Sequence, residues 1–204
     1  MSLPGQLDLF SATPSPSSDE PTIPGLIYEA EFLSPDEEKV LLSRINAERW
    51  ITDLRRRVQH YGWRYDYKAR RIDPGMYLGK LPEWLDDVSA RLLARGWFDQ
   101  LPDQVIVNEY LPGQGIAAHT DCVPCFGPTL ASVSLLSDVL MDFENPRTKE
   151  RHSRRLERRS IAVLQGDARY LWRHGISARL KDIYQSKNWI RSRRVSLTFR
   201  TVIL

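Results

Sequence analysis

Hydrophobic and polar positions repeat with a helical period in the first half of the chain and with a strand period in the second half. "LSPDEEKVLLSRINAERW" (33–50) predicts a helix, since Ser34 is a suitable N-cap, Pro35 suits the first helical position and Glu37 completes a capping box. "PEWLDDVSARLLARG" (82–96) predicts a second amphipathic helix that ends at its last glycine. Short apolar runs then predict strands in "DQVIVNEY", "ASVSLL", "VLMDFE", "SIAVLQG", "RYLWRHGI" and "RVSLTFRTVIL".

Two helices followed by many short strands predict an α+β, mainly β fold, either a β-sandwich or a jelly roll with the helices on one face. Residues 1–25 are rich in Pro and Ser, so we expect them to be a disordered tail. The remaining residues, 26–204, are enough for a single domain with a sizeable core.

Composition indicates a globular protein of the cytoplasm. No apolar run is long enough to cross a membrane, no signal peptide opens the chain, and we expect a monomer without membrane contact. The chain has only two cysteines, Cys122 and Cys125, so we expect no disulfide framework. The net charge is +3, but basic residues cluster in "LRRR", "RYDYKARR", "RTKERHSRRLERR" (147–159) and "RSRR". Such clusters are either phosphate-binding surfaces or solvated loops.

A candidate metal site begins in "AAHTDC", where His119 and Asp121 are two residues apart and would share one face of a strand. A third ligand would come from a neighbouring strand. His174 in "RYLWRHGI" is the best candidate, because His60 and His152 lie in basic segments. Two histidines and one carboxylate leave coordination positions open, as in non-heme Fe(II) oxygenases. The alternative interpretation of His-x-Asp is a hydrogen-bonded pair at the surface.

The last predicted strand has four polar side chains on one face: Arg194, Ser196, Thr198 and Arg200. Two arginines that point into a barrel require anions, and a dicarboxylate could satisfy both of them. The alternative is an edge strand whose polar face meets water.

The chain resembles the AlkB-type Fe(II)/2-oxoglutarate-dependent dioxygenases. "NEYLPGQGIAAHTD" (108–121), His174 and "RVSLTFR" (194–200) match the family's N-x-Y…H-x-D, distal histidine and R-x-N-x-T-x-R elements in order and spacing. "RRSIAVLQGDARYLWRHGI" and "RRVQHYGWRYDY" look most similar to the AlkB domain of the animal wobble-uridine tRNA hydroxylases. The resemblance covers almost all of residues 26–204.

The resemblance implies a double-stranded β-helix that uses Fe(II), 2-oxoglutarate and O2. It implies that the catalytic metal is held by His119, Asp121 and His174. The residues that it implies for 2-oxoglutarate are Asn108, Tyr110, Arg194, Ser196 and Arg200. Among them, Arg194 and Tyr110 would hold the distal carboxylate, while Arg200 and Asn108 would lie near the metal-bound end. Ser196 departs from the asparagine that is usual in the family.

The activity that the resemblance implies is oxidative dealkylation of alkylated bases in DNA, or in RNA, with release of succinate, CO2 and an aldehyde. Trp63, Tyr65 and Tyr67 alternate among basic residues and would stack on an unstacked base beneath a lid, although the same alternation also suits a core-facing strand. Val123 stands where several base-repairing relatives have a carboxylate. The alternatives are a tRNA-modifying hydroxylase and a non-catalytic or protein-modifying relative.

"CVPC" (122–125) follows the candidate metal aspartate directly. It could be a zinc or redox pair, but no second cysteine pair is present to complete a zinc site. We therefore expect two small buried side chains.

The tail carries a short apolar motif, "QLDLF", formed by Gln6, Leu7, Asp8, Leu9 and Phe10. It closely resembles the peptide with which bacterial replication and repair proteins bind the DNA sliding clamp. The alternative is a segment that packs on the protein's own domain. The clamp interpretation favours DNA repair over tRNA modification, with residues 11–25 acting as a tether.

Overall fold

The computed structural model describes residues 22–204. The chain is packed a few residues before Leu26, because Ile23 is buried and the carbonyls of Pro24 and Gly25 accept hydrogen bonds from the backbone of Ala168 and Gln165. The clamp-like motif at 6–10 lies outside the described residues.

Three helices lie within residues 22–204: α1 (Pro35–Ala47), α2 (Asp86–Ala94) and α3 (Gly166–Tyr170). The predicted capping box of α1 is confirmed, since the Ser34 hydroxyl accepts from the backbone of Glu37 and the Glu37 carboxylate accepts from the backbone of Ser34. The second predicted helix begins as a 3-10 turn at Glu83–Leu85 and continues as α2.

Twelve strands are present in the same region: β1 (Leu26–Glu29), β2 (Val58–Tyr61), β3 (Gln104–Tyr110), β4 (Ile116–His119), β5 (Phe126–Leu135), β6 (Val139–Glu144), β7 (Arg151–Leu156), β8 (Ile161–Leu164), β9 (Arg173–Ile176), β10 (Lys181–Tyr184), β11 (Lys187–Ile190) and β12 (Arg194–Val202). They form a six-stranded antiparallel sheet with the order β1-β8-β5-β12-β3-β2 and a four-stranded antiparallel sheet with the order β4-β9-β6-β7. β10 and β11 form a separate hairpin.

The two faces of β12 have different surroundings. Val195, Leu197 and Phe199 belong to a core cluster with apolar residues of α1 and α2, so the helices cover the outer face of the large sheet. The opposite face of β12 carries the polar set that begins at Arg194 and lines a cavity between the two sheets. This arrangement confirms the predicted jelly roll with helices on one face.

Two segments differ from the predictions. "RYLWRHGI" was expected to be a single strand, but its start belongs to α3 and the strand begins at Arg173. The basic segment 147–159, for which a solvated loop was one of two interpretations, contains β7, which pairs with β6 along its whole length. Within β7, Arg155 pairs with Asp138, and the guanidinium of Arg154 lies over the ring of Tyr28 at 4.0 Å.

Residues 22–204 contain no helix that combines the length and the apolar character needed to span a bilayer.

Candidate metal centre

Strands β4 and β9 bring the predicted metal ligands together. His119 pairs with His174 in the register of the two strands, and their ring centroids lie 4.6 Å apart. Asp121 follows β4 by two residues, and its Oδ1 lies 3.2 Å from Nε2 of His119 and 4.0 Å from Nε2 of His174. One ligand atom from each of these three residues lies within 4.8 Å of the others.

The other two histidines are engaged elsewhere. Nδ1 of His60 accepts a hydrogen bond from the backbone of Tyr65, and the ring of His152 lies against Trp172 with a centroid distance of 5.3 Å. Neither belongs to the cluster of candidate ligands found among residues 22–204.

The donor atoms fit a divalent cation. Nδ1 of His119 lies 2.9 Å from the carbonyl oxygen of Ala117, where it can donate its proton. In that tautomer Nε2 presents a lone pair to Oδ1 of Asp121, and a cation ligated by both atoms would account for the two facing lone pairs.

Arg200 keeps the carboxylate of this cluster ionised. Burial raises the pKa of Asp121, but the Arg200 guanidinium, whose Nε lies 2.9 Å from Oδ2, and the two neighbouring histidines together outweigh burial and hold the pKa well below its usual range. Burial lowers the pKa of His174 to about 4. The cluster therefore offers a carboxylate and a neutral imidazole at neutral pH, which are the protonation states that a metal requires.

The two cysteines that follow Asp121 are joined. Cys122 and Cys125 are both buried, as expected, and they form a disulfide, which matches the redox pair that the sequence offered as the alternative. A turn in which the backbone of Cys125 donates to the carbonyl of Cys122 brings their Cα atoms to 5.2 Å, a distance that a disulfide can bridge.

A cavity of about 340 Å³ extends from the metal cluster along the polar face of β12. Arg194 lies in its wall and is only 2% exposed. Its Nη2 donates to the Ser134 hydroxyl at 2.7 Å, and its guanidinium lies 5.6 Å from the centre of the Tyr110 ring. No residue within 22–204 accepts a hydrogen bond from its Nε, and burial lowers the pKa of Arg194 to about 10. A buried cation in this state fits an anionic ligand.

The remaining residues predicted for 2-oxoglutarate, including Asn108 and Ser196, also line this cavity. Oδ1 of Asn108 accepts a hydrogen bond from Nε of Arg56 at 2.9 Å. Arg56 lines the cavity as well, and its guanidinium lies 5.8 Å from the centre of the Tyr67 ring. Arg56 was not identified from the sequence, because the sequence does not show which arginine of this basic run faces the cavity. In the structure the adjacent Arg57 pairs with Glu109 instead.

The predicted base-stacking residues separate into two groups. Tyr65 and Tyr67 line the cavity and pack edge to face at 5.1 Å. Trp63 does not line it and instead contacts Tyr77, at a centroid distance of 4.8 Å. The alternating aromatic segment therefore contributes two of its three predicted rings to the site.

The basic clusters also differ in their surroundings. In 147–159, Arg155, Arg158 and Arg159 form ion pairs with Asp138, Glu38 and Glu31. In the segment that borders the cavity, Arg64, Lys68 and Arg70 are exposed, and Arg70 lines the cavity itself. The exposed positive charge near the cavity therefore lies in the 64–71 segment.

The fold and the site together define an oxygenase class. A profile described as "2OG-Fe(II) oxygenase superfamily" matches residues 31–200, and the chain belongs to this superfamily. Its members use Fe(II), 2-oxoglutarate and O2, which confirms the predicted cofactors.

Curated relatives of the chain include proteins that are named for ALKBH8. The chain is 36% identical over 175 residues to "Uncharacterized protein L905" of Acanthamoeba polyphaga mimivirus, covering 85% of this chain and 82% of that one. It is 35% identical to the mouse protein "tRNA (carboxymethyluridine(34)-5-O)-methyltransferase ALKBH8", covering 88% of this chain but only 30% of the mouse protein. It is 32% identical to the Arabidopsis thaliana protein "Alkylated DNA repair protein ALKBH8 homolog", covering 99% of this chain and 65% of that protein.

A solved structure shows the same fold. The structure described as "The structure of OsALKBH1" superposes with a TM-score of 0.68 at 19% identity, covering 89% of this chain and 99% of that one. It supports the jelly-roll architecture.

Proposed function

We propose that this chain oxidatively dealkylates alkylated bases in nucleic acid, and that its substrate is damaged DNA. The observation that carries the proposal is one cavity that holds both the His119, Asp121 and His174 cluster and the buried Arg194, whose charge faces no carboxylate within residues 22–204. The cluster fits Fe(II), and the buried arginine fits the distal carboxylate of 2-oxoglutarate.

Each side chain has a distinct task in this proposal. When bound, Fe(II) supplies the oxidation of a C–H bond by O2, at the expense of 2-oxoglutarate, which leaves as succinate and CO2. Arg200 orients Asp121 through Oδ2 and leaves Oδ1 directed toward the histidines. Arg194 binds the distal carboxylate beside the ring of Tyr110, and Asn108 and Ser196 lie along the same wall.

The cavity also suits an unstacked base. Tyr65 and Tyr67 offer ring faces and edges beside the metal cluster, and exposed Arg70 can contact a flanking phosphate. Hydroxylation of an N-alkyl carbon gives a hemiaminal, which loses an aldehyde without further catalysis. The chain therefore needs no additional acid or base at the substrate.

The motif at residues 6–10 supports DNA as the substrate. Burial of Leu9 and Phe10 in an apolar cleft would contribute roughly 1.5–3 kcal/mol each, and the Gln6 amide would define the register. After the cost of ordering the peptide, a contact of about micromolar affinity would remain. Residues 11–25 would then tether the enzyme to newly copied DNA.

A second candidate function is hydroxylation of a modified tRNA base. It is favoured by 35% identity to a mouse protein whose name specifies tRNA carboxymethyluridine, although this chain spans less than a third of that protein. The Arabidopsis relative is named for DNA repair, so the relatives support both candidates.

The test is a paired substrate assay of the purified full-length chain with Fe(II), 2-oxoglutarate and O2. One arm uses an oligodeoxynucleotide with N-methylated bases, and the other uses tRNA with a modified wobble uridine. We expect formaldehyde and succinate in equal amounts from DNA, and neither above background from the His119→Ala variant. A hydroxylated tRNA nucleoside without formaldehyde from DNA would favour the second candidate. Succinate release that neither nucleic acid increases would contradict both.

A further inference from the structure

The most buried charged side chain near the metal cluster is one that the proposed chemistry does not use. Arg169 lies in α3, is 1% exposed, and is among the largest fully buried side chains of the described chain. Its guanidinium donates four hydrogen bonds to backbone carbonyls: Nη1 to Asp121 at 3.1 Å, Nη2 to Cys122 at 3.4 Å and to Phe126 at 3.2 Å, and Nε to Gly127 at 3.3 Å.

All four acceptors lie in one short stretch, residues 121–127, which runs from the connection after β4 into the first two residues of β5 and contains the disulfide. Asp121 is consequently held at two points: Arg169 binds its backbone carbonyl, and Arg200 binds Oδ2 of its side chain. The oxygen left over, Oδ1, is the one that faces Nε2 of His119. The position of this candidate ligand atom therefore depends on both arginines.

The chemistry of this contact requires an arginine. A guanidinium presents five donors in a planar fork, whereas a lysine presents three donors from a single nitrogen. Burial disfavours the charge of Arg169 and lowers its pKa. An apolar side chain could pack here without that penalty, so packing alone does not account for an arginine at this position.

We propose that Arg169 is a positioning residue for the metal site. It holds residues 121–127 in the conformation that directs Asp121 toward the two histidines, and it makes no contact with the metal or the substrate. This inference rests on the proposed function, since it takes Asp121 as a ligand. Loss of such an outer contact typically costs about 10- to 100-fold in metal affinity.

The experiment titrates the full-length protein with Co(II), whose visible absorption reports coordination in the absence of turnover. Arg169→Met keeps the aliphatic stem and removes all four hydrogen bonds, and we expect Co(II) affinity to fall about 10- to 100-fold. The Co(II) affinity of Arg169→Lys should lie between those of the parent protein and Arg169→Met. The matched control is Arg191→Met, because Arg191 is also buried but is paired with Asp182 at the base of the β10–β11 hairpin. We expect that variant to lose stability and to keep parental Co(II) affinity.

Several outcomes would overturn the inference. The inference would be wrong if Arg169→Met had the Co(II) affinity of the parent protein. It would also be wrong if Arg191→Met lost as much Co(II) affinity as Arg169→Met, because that would indicate general destabilisation. If Arg169→Met does not fold, Arg169→Lys carries the test through hydrogen exchange of the amides of 121–127 in the metal-free protein. Faster exchange confined to this loop supports the positioning role, and unchanged exchange contradicts it. Absence of Co(II) binding by the parent protein would contradict the proposed function instead, and the exchange result would still decide whether Arg169 holds the loop.

Discussion

Replacement of Arg194 by methionine should separate stability from ligand binding. Arg194→Met keeps the aliphatic stem in the wall of the cavity and removes a buried charge whose Nε has no acceptor within residues 22–204. We therefore expect the variant without ligand to be at least as stable as the parent protein, and to bind 2-oxoglutarate far more weakly.

The magnitudes follow from the environment of Arg194. Burial lowers its pKa from 12.5 to about 10, and at about 1.4 kcal/mol per pKa unit this corresponds to roughly 3 kcal/mol of unfavourable burial. The hydrogen bond to Ser134 offsets about 1.5–3 kcal/mol of that cost. In the complex, loss of one partner of a buried charge pair costs about 2–5 kcal/mol, which raises the Kd roughly 30- to 4,000-fold.

Thermal unfolding with and without 2-oxoglutarate measures both effects. Mn(II) replaces Fe(II) so that no turnover occurs. A ligand at about 100 times its Kd stabilises the folded state by about 2.7 kcal/mol, so the Tm of the parent protein should rise. At the same ligand concentration a Kd raised roughly 30- to 4,000-fold leaves Arg194→Met with at most about 0.9 kcal/mol of stabilisation, so its Tm should rise far less. Arg193→Met is the matched control, because Arg193 is the adjacent residue and pairs with Glu109. A parental response to 2-oxoglutarate in Arg194→Met, or a large loss of stability without ligand, would refute this reasoning.

Four further predictions concern the metal, the pH dependence, the nucleic acid and the tail. His119→Ala should abolish 2-oxoglutarate-dependent succinate production, and parental production would exclude His119 as a ligand. Burial lowers the pKa of His60 from 6.5 to about 4, so the unfolded chain binds more protons between these values and the free energy of unfolding should fall by up to about 3 kcal/mol as pH drops from 6.5 to 4. In the His60→Gln variant the free energy of unfolding, measured by urea denaturation at each pH, should fall less steeply between pH 6.5 and 4. An unchanged pH dependence would contradict the pKa assigned to His60. Binding of an oligonucleotide should weaken steeply as the salt concentration rises. Arg70→Ala should reduce the slope of log affinity against log salt by about one, whereas Arg158→Ala should leave it unchanged, because Arg158 is ion-paired. Equal slopes for Arg70→Ala and the parent protein would place Arg70 outside the interface. A peptide of residues 1–12 should bind purified bacterial sliding clamp more tightly than one whose Leu-Phe pair is replaced by alanine, and equal binding would reduce the motif to coincidence.

Features set by neighbours in sequence were predictable. The capping box at Ser34 needs only a hydroxyl and a glutamate three residues apart, and the structure confirms it. The alternation along β12 likewise identifies which side chains share a face, because the side-chain period of a strand is two. His119 and Asp121 were close for the same local reason. The prediction that His174 joins them also required that its strand pair with the strand of His119, and β9 does pair with β4 in this way.

Features that depend on distant partners were not predictable. Arg56 and Arg57 are adjacent in sequence, but Asn108 binds one in the cavity and Glu109 binds the other outside it. Similarly, the sequence did not show that two charges of 147–159 are paired, because Arg158 and Arg159 have carboxylate partners, Glu38 and Glu31, that lie more than a hundred residues away in sequence. Composition cannot distinguish a solvated arginine from a paired one, because the difference lies in the tertiary contact.

The buried arginines of the described chain show why the partner of each charge carries functional information. A buried cation is costly unless something compensates it. Arg191 is paired with Asp182, Arg200 with Asp121, and Arg169 is surrounded by four carbonyl oxygens, so the protein itself compensates all three. Arg194 has one hydroxyl and an aromatic ring, and no carboxylate within residues 22–204. A fold gains no stability from leaving that charge uncompensated, and the cavity that Arg194 lines leads to the metal cluster. Both observations support the proposal that a bound anion compensates Arg194.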